Sequence, residues 1–220
     1  MTMRLRDELV RTARRMSELG LSPGMTGNVS VRSPGGVLVT PSGMPYGELT
    51  GDDAVEVKPD GAIAPGQRTP TSEWQLHRDL LAARPDVHAI VHTHSLFCTS
   101  ISCLRRPIPA IHYMVVRAGG DEIPCADYAT FGSAQLAVNV VAALAGGDAC
   151  LMANHGLVAA GATLDKAMKV VQEVESLCEV YLKALAVGEP AVLSAEEMTQ
   201  VLARFKPYGK TAPVPLPLRG

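Results

Sequence analysis

Leu9, Ala13, Met16 and Leu19 recur at helical spacing among charged positions, which predicts an amphipathic helix over Leu5–Leu19 with Gly20 placed to cap it. The pattern then changes to strands. Asn28–Arg32 and Val37–Thr40, joined by Ser33-Pro34-Gly35-Gly36, read as a hairpin, and a third strand over Ala54–Lys58 is closed by Pro59-Asp60-Gly61. A helix is expected over Glu73–Arg84, then a buried strand through Val87–Val91 to His94, and a helical run over Ser95–Leu104. Further on, Gln135–Leu144 reads as a helix and Cys150–Ala153 and Leu157–Ala160 as strands. The longest helix is expected over Leu164–Val187. A last one, Ala195–Phe205, is announced by Ser194 and by Glu197 three residues on, a capping-box pattern.

Several neighbouring strands are joined by turns too short for parallel crossovers. The expected fold is therefore α/β, a single three-layer domain with a mostly antiparallel central sheet flanked by helices. No repeat or composition break divides the chain. The domain is placed at 1–210, followed by a proline-rich tail over 211–220, expected to be disordered or draped over a neighbour.

A chain of 220 residues can bury roughly 70% of its unfolded surface without a covalent staple. The net charge of -2 is interspersed, with no Lys/Arg run, which argues against a nucleic-acid partner. Cys98, Cys103, Cys125, Cys150 and Cys178 form an odd set without CxxC spacing and read as free core thiols in a reducing compartment. With neither a signal-peptide pattern nor an apolar stretch of about 18 residues, a soluble cytoplasmic protein is expected, with no membrane partner.

The candidate chemistry lies at the strand ends. His92 and His94 flank Thr93, and side chains at i and i+2 point to one face of a strand, so both can grip one ion. His155, after the run Ala149–Ala153, is free to close the triangle from another strand. Three neutral imidazoles with an open position suit a catalytic zinc site better than a structural one. A lone histidine is more often a hydrogen-bonded core or surface residue. Glu73 strengthens the metal reading, although a carboxylate at a helix start also complements the helix dipole. Lys166, Lys169 and Lys183 read as the solvated face of a helix, which leaves a Schiff-base mechanism little support.

Seven segments occur in a telling order: Thr26-Gly27-Asn28-Val29-Ser30-Val31-Arg32, Thr40-Pro41-Ser42-Gly43, Pro70-Thr71-Ser72-Glu73, His92-Thr93-His94, Ile108-Pro109-Ala110-Ile111-His112-Tyr113, Ala129-Thr130-Phe131-Gly132 and Asn154-His155-Gly156-Leu157. On these the chain resembles the class II aldolase family over nearly its whole length, on the branch that acts on L-fuculose 1-phosphate. The resemblance implies that His92, His94 and His155 hold zinc, with Glu73 completing the resting coordination and then acting as the acid/base. Cobalt or manganese is an alternative ion. It implies that Gly27, Asn28, Ser42, Gly43, Thr71 and Ser72 bind the substrate phosphate. Tyr113 would reach a neighbouring subunit's site in a C4 homotetramer, and Phe131 and Tyr208 would shape the aldehyde pocket. Gly27 and Gly43 taken alone are more often turn residues with positive φ than ligand contacts.

The activity so implied is reversible cleavage of a ketose 1-phosphate to dihydroxyacetone phosphate and a small aldehyde such as L-lactaldehyde, through an enediolate. Two rivals share the fold: sugar-phosphate dehydratases or pentulose-phosphate 4-epimerases, and non-catalytic adducin-like modules. Ser42 and Thr71 interchange serine and threonine relative to the family pattern, which preserves the hydroxyl donor. The tail after Tyr208 is this chain's own.

Overall fold

Alternating burial along the strands organises the molecule into three layers. The computed structural model describes residues 2–205, so Tyr208 and the 211–220 tail lie outside the described residues. In chain order the strands are β1 (Asn28–Ser33), β2 (Gly36–Val39), β3 (Val55–Val57), β4 (Ala89–Thr93), β5 (Cys125–Ala126), β6 (Ala149–Met152) and β7 (Gly156–Gly161). The helices are α1 (Thr2–Glu18), α2 (Trp74–Ala83), α3 (Leu96–Ser102), α4 (Ala134–Ala143), α5 (Leu164–Val187) and α6 (Ala195–Phe205).

The seven strands form one sheet in the order β3-β2-β1-β4-β7-β6-β5. Val29, Val31, Ala89, Val91, Leu151, Leu157 and Ala159 face a core shared with α1, α3 and α5. Val37, Val39, Ile90, Cys150, Met152, Val158 and Ala160 face the second core, under α2 and α4. A strand's two-residue period sends alternate side chains into opposite cores. The expected three-layer, mostly antiparallel α/β domain is therefore what forms.

Every pair is antiparallel except β5 with β6, which the sequence reading lacked. Their parallel pairing needs a long crossover, and α4 supplies it. Stretches left as loops contain 3-10 turns at Tyr46–Glu48, Gly51–Asp53 and Tyr113–Ala118.

Helix ends follow their expected caps. Gly20 has φ +70°, and Leu21 N–H returns to the Met16 carbonyl. Ser194 N–H donates to Glu197 Oε2 at 2.7 Å while Glu197 N–H donates to Ser194 Oγ at 3.2 Å, the reciprocal pair expected before α6. Cys98, Cys150 and Cys178 are buried and the half-buried Cys125 packs against the core, but Cys103 is exposed, so the core reading fails for that one. Cys103 follows α3 where the chain turns to the surface. No helix among the described residues is long and apolar enough to cross a membrane.

Candidate metal centre and cleft

His92 lies on β4, fully buried, and its Nδ1–H donates to the Leu157 carbonyl at 2.9 Å. That bond fixes the tautomer and leaves Nε2 bare toward the centre. His94 follows the strand on the same face, with its Nε2 3.0 Å from that of His92. Just beyond, Glu175 of α5 accepts from Ser95 Oγ at 2.6 Å and from Phe97 and Cys98 N–H at 2.9 Å, which pins the chain leaving His94.

His155 lies between the two expected strands. It ends the turn between β6 and β7, where Asn154 takes φ +53°. Asn154 N–H donates to the Ser102 carbonyl and His155 N–H to Ser102 Oγ, so α3 anchors the turn. The three imidazole centroids lie 4.8–4.9 Å apart. One nitrogen from each falls within 4.8 Å of the others.

Glu73 is the residue before α2 and makes no capping bond to it. Its side chain turns inward. Oε2 lies 3.2 Å from His92 Nε2 and Oε1 lies 3.5 Å from His155 Nε2. Oε1 is buried without a hydrogen-bond partner. A buried, unpartnered carboxylate oxygen facing three imidazoles fits a divalent cation held by His92, His94 and His155, with Glu73 in reach as a further ligand.

The electrostatics agree for His94 and His155. Burial, reinforced by the neighbouring His92, pushes His94 and His155 down to about 4, so both are neutral ligands at neutral pH. Burial opposes ionisation of Glu73, yet the imidazoles of His92 and His155 and the amide of Asn28 outweigh it and hold the carboxyl well below the ordinary range. For His92 burial disfavours the cation, but the Glu73 carboxylate raises it above its usual value.

The cleft above this floor encloses about 300 Å³. Its walls include Gly27, Asn28, Ser42, Gly43, Thr71, Ser72 and Phe131, so the residues expected at the phosphate gather at one place with Phe131 of the expected aldehyde pair. The loops are laced together: Thr71 N–H donates to the Thr40 carbonyl and Ser42 N–H to that of Thr69, each at 3.0 Å. Gly27 and Gly43 have φ +73° and +69°, the left-handed turns expected of them. Asn28 lines the cleft while its amide nitrogen donates to Glu73 Oε2 at 2.8 Å and to Thr71 Oγ1 at 3.0 Å.

Tyr113 is not in this cleft. It is half exposed, stacked on His112, and lines a separate groove with Met114, Arg117, Glu173 and Phe205. No lysine lines the cleft among the described residues; Lys169 and Lys183 pair on the surface with Asp165 and Glu179. A larger hollow of about 600 Å³ lies at the opposite ends of β1 and β4, around Arg32, His88 and Leu164, without a cluster of ligating groups.

The sequence reading missed His77, Ser30, Tyr46 and Tyr128. His77 is fully buried and contacts Ser30 and Asn28. Its spacing of four from Glu73, one turn of helix, was the available signal. The Tyr46 hydroxyl, buried beneath the glycine loop, lies 2.5 Å from the Gly27 carbonyl, and burial raises its pKa above the ordinary phenol value. Tyr128 joins Phe131 at the cleft rim.

Comparison with known proteins finds relatives over nearly the whole chain. The family described as Class II Aldolase and Adducin N-terminal domain matches residues 7–182. A 5-methylthioribulose-1-phosphate/5-deoxyribulose-1-phosphate aldolase of Rhodospirillum rubrum is 49% identical over 213 residues, 97% of this chain and 96% of the relative. An L-fuculose phosphate aldolase of Escherichia coli O6:H1 is 46% identical over 207 residues, 94% of this chain and 96% of the relative. A solved structure titled L-fuculose 1-phosphate aldolase superposes with a TM-score of 0.88 at 38% identity, covering 92% of this chain and 96% of the other.

Proposed function

Because the chain belongs to the class II aldolase family, we propose that it is a divalent-metal-dependent lyase that reversibly cleaves a ketose 1-phosphate of the L-fuculose 1-phosphate type to dihydroxyacetone phosphate and a small aldehyde such as L-lactaldehyde. One observation carries the reading: three imidazoles and the unpartnered oxygen of Glu73 converge on the floor of a cleft walled by hydroxyl and backbone donors. A non-catalytic module has no use for such a set.

His92, His94, His155 and Glu73 would hold zinc, or cobalt or manganese, whose contribution when bound is positive charge beside the substrate's carbonyl oxygen. The chain's own groups do the rest. Gly27, Ser42, Gly43, Thr71 and Ser72 bind the phosphate through hydroxyls, backbone N–H groups and the start of α2, without a lysine or arginine. Glu73 carries the proton at C3, from a fixed position just before α2.

Cleavage of the C3–C4 bond also requires the C4 hydroxyl to lose its proton. Tyr113 serves that oxygen from a neighbouring copy in a C4 homotetramer. Its half-exposed place on a separate groove of its own chain supports a role in trans. Phe131 at the rim, with Tyr208 near the C-terminus, receives the aldehyde end.

A second substrate is favoured at that same end. The Rhodospirillum rubrum relative is named for 5-methylthioribulose and 5-deoxyribulose 1-phosphates, and Met25, Tyr128 and Phe131 give this rim an exposed apolar surface suited to a methyl or methylthio terminus. A panel of L-fuculose, 5-deoxyribulose and 5-methylthioribulose 1-phosphates, each scored by coupled detection of dihydroxyacetone phosphate, tests the proposal. Substrate loss without dihydroxyacetone phosphate would assign a dehydratase or epimerase instead. No turnover, together with no metal in the purified protein, would leave only the non-catalytic reading.

A further inference from the structure

Beneath Glu73 lies a chain of buried hydrogen bonds that none of the roles above uses. Ser30 and Asn28 project from β1 toward α2, where His77 is fully buried. Ser30 Oγ lies 2.7 Å from His77 Nδ1, and His77 Nε2 contacts Asn28 Oδ1. The Asn28 amide nitrogen then reaches Glu73 Oε2 at 2.8 Å.

Donor logic allows one arrangement. A carboxylate only accepts, so the nitrogen of the Asn28 amide must face Glu73 and its oxygen must face His77. His77 therefore donates from Nε2 and accepts at Nδ1 from the Ser30 hydroxyl. A neutral imidazole satisfies both bonds, and burial, which pushes His77 down to about 3, keeps it neutral.

We infer that Ser30 and His77 are positioning residues that act through Asn28 to anchor Glu73 Oε2, so that Oε1, which has no hydrogen-bond partner, is the oxygen that carries the proton. The inference rests on Glu73 being the acid/base of the proposed aldolase. Mobility of a buried carboxylate by a fraction of an ångström blurs its reach to one carbon, whereas one anchored oxygen leaves the other a single trajectory.

The test uses the metal-loaded enzyme and two His77 variants. His77→Gln places an amide nitrogen near the Nε2 position and keeps the donor, while His77→Leu removes it. We expect His77→Leu to lower kcat by about 10- to 100-fold with KM changed less than about two-fold and metal content unchanged, and His77→Gln to recover most of the loss. In a Glu73→Gln background His77→Leu should have no further effect, because the group it positions is gone. Equal losses in Gln and Leu, an additive loss in that background, or recovery by excess metal would each overturn the inference.

A readout independent of activity separates this from failure of the aldolase reading. In the full-length protein, nitrogen NMR of the imidazoles should show His77 as the Nε2–H tautomer, and Ser30→Ala should keep that tautomer, which the Asn28 oxygen still demands, while shifting the Nδ1 resonance as its hydrogen bond is lost. An Nδ1–H tautomer in the wild type would break the chain whatever reaction the enzyme performs. It also decides the matter if His77→Leu fails to fold.

Discussion

Alanine at Gly27 would test whether the glycine loop is built around its contact with the strand that carries His92. Gly20, Gly27 and Gly43 share one backbone conformation, at φ +70°, +73° and +69°. An alanine in that region costs roughly 1–2 kcal/mol, partly offset by a stiffer unfolded chain, so the conformation alone is worth about 1 kcal/mol. Gly20 and Gly43 have nothing within 4 Å of a new Cβ and would show only this. At Gly27 the Cβ would lie 2.6 Å from the His92 carbonyl oxygen and 2.5 Å from Ser22 Oγ. Ordinary carbon–oxygen contacts begin near about 3.3 Å, so β1 and β4 must part by roughly 0.7 Å where His92 sits. Overpacking of that kind adds about 1–3 kcal/mol.

Gly27→Ala should therefore cost about 2–4 kcal/mol and lower Tm by about 4–16 °C, against about 2–4 °C for Gly20→Ala and Gly43→Ala. Thermal unfolding of the three proteins with chelator, followed by circular dichroism, measures this. Repeating the scans with added zinc reports the metal site, because an ion that binds only the folded state raises Tm according to its affinity. Displacement at His92 should shrink that rise in Gly27→Ala and leave it intact in Gly20→Ala. A Gly27→Ala protein that melts with Gly20→Ala and keeps the full zinc response would refute the contact argument.

Removing one imidazole, as in His155→Ala, should lose both bound metal and turnover, whereas Glu73→Gln should keep the metal and lose roughly 10²-fold in turnover; atomic absorption beside the cleavage assay distinguishes them, and full metal content in His155→Ala would remove that residue from the site. Acid should weaken the metal-free protein through His77, whose folded value of about 3 lies below its ordinary 6.5, so the unfolded chain takes up the proton first and stability falls as pH drops below about 6.5. At pH 5 the loss is about 2 kcal/mol, and urea titrations at pH 8 and 5 should show His77→Gln spared that amount; equal losses would mean the folded histidine accepts the proton. Tyr113→Phe and His155→Ala, each nearly inactive alone, should regain activity when refolded together if tyrosine and metal come from different subunits. Mixed oligomers that form without such recovery would place Tyr113 outside the neighbouring site.

The order and type of elements were legible because burial has a period. Val29 and Val31, or Leu157 and Ala159, alternate with neighbours bound for the other side of the sheet, and such alternation is written in the chain itself. The three histidines were legible too, since a strand aims His92 and His94 the same way whatever surrounds it. The short parallel strand Cys125–Ala126 was not, because two residues carry no period and its existence depends on the edge offered by β6. Nor could local pattern say that Glu73 would ignore its own helix and turn to His92 and His155.

Strand β1 marks the boundary most clearly. Valines at 29 and 31 alternating with Asn28, Ser30 and Arg32 describe a strand with one dry face and one wet face, and sequence alone assigns the polar side to water. Helix α2 covers that side instead. Asn28 and Ser30 become buried, and they stay polar at bearable cost because His77 supplies the missing partners. The chain by itself determined which residues could bind a metal and which faces were apolar, for those follow from residue type and local period. The tertiary structure decided which polar groups would lose their water, since that depends on an element arriving from more than forty residues away to cover them.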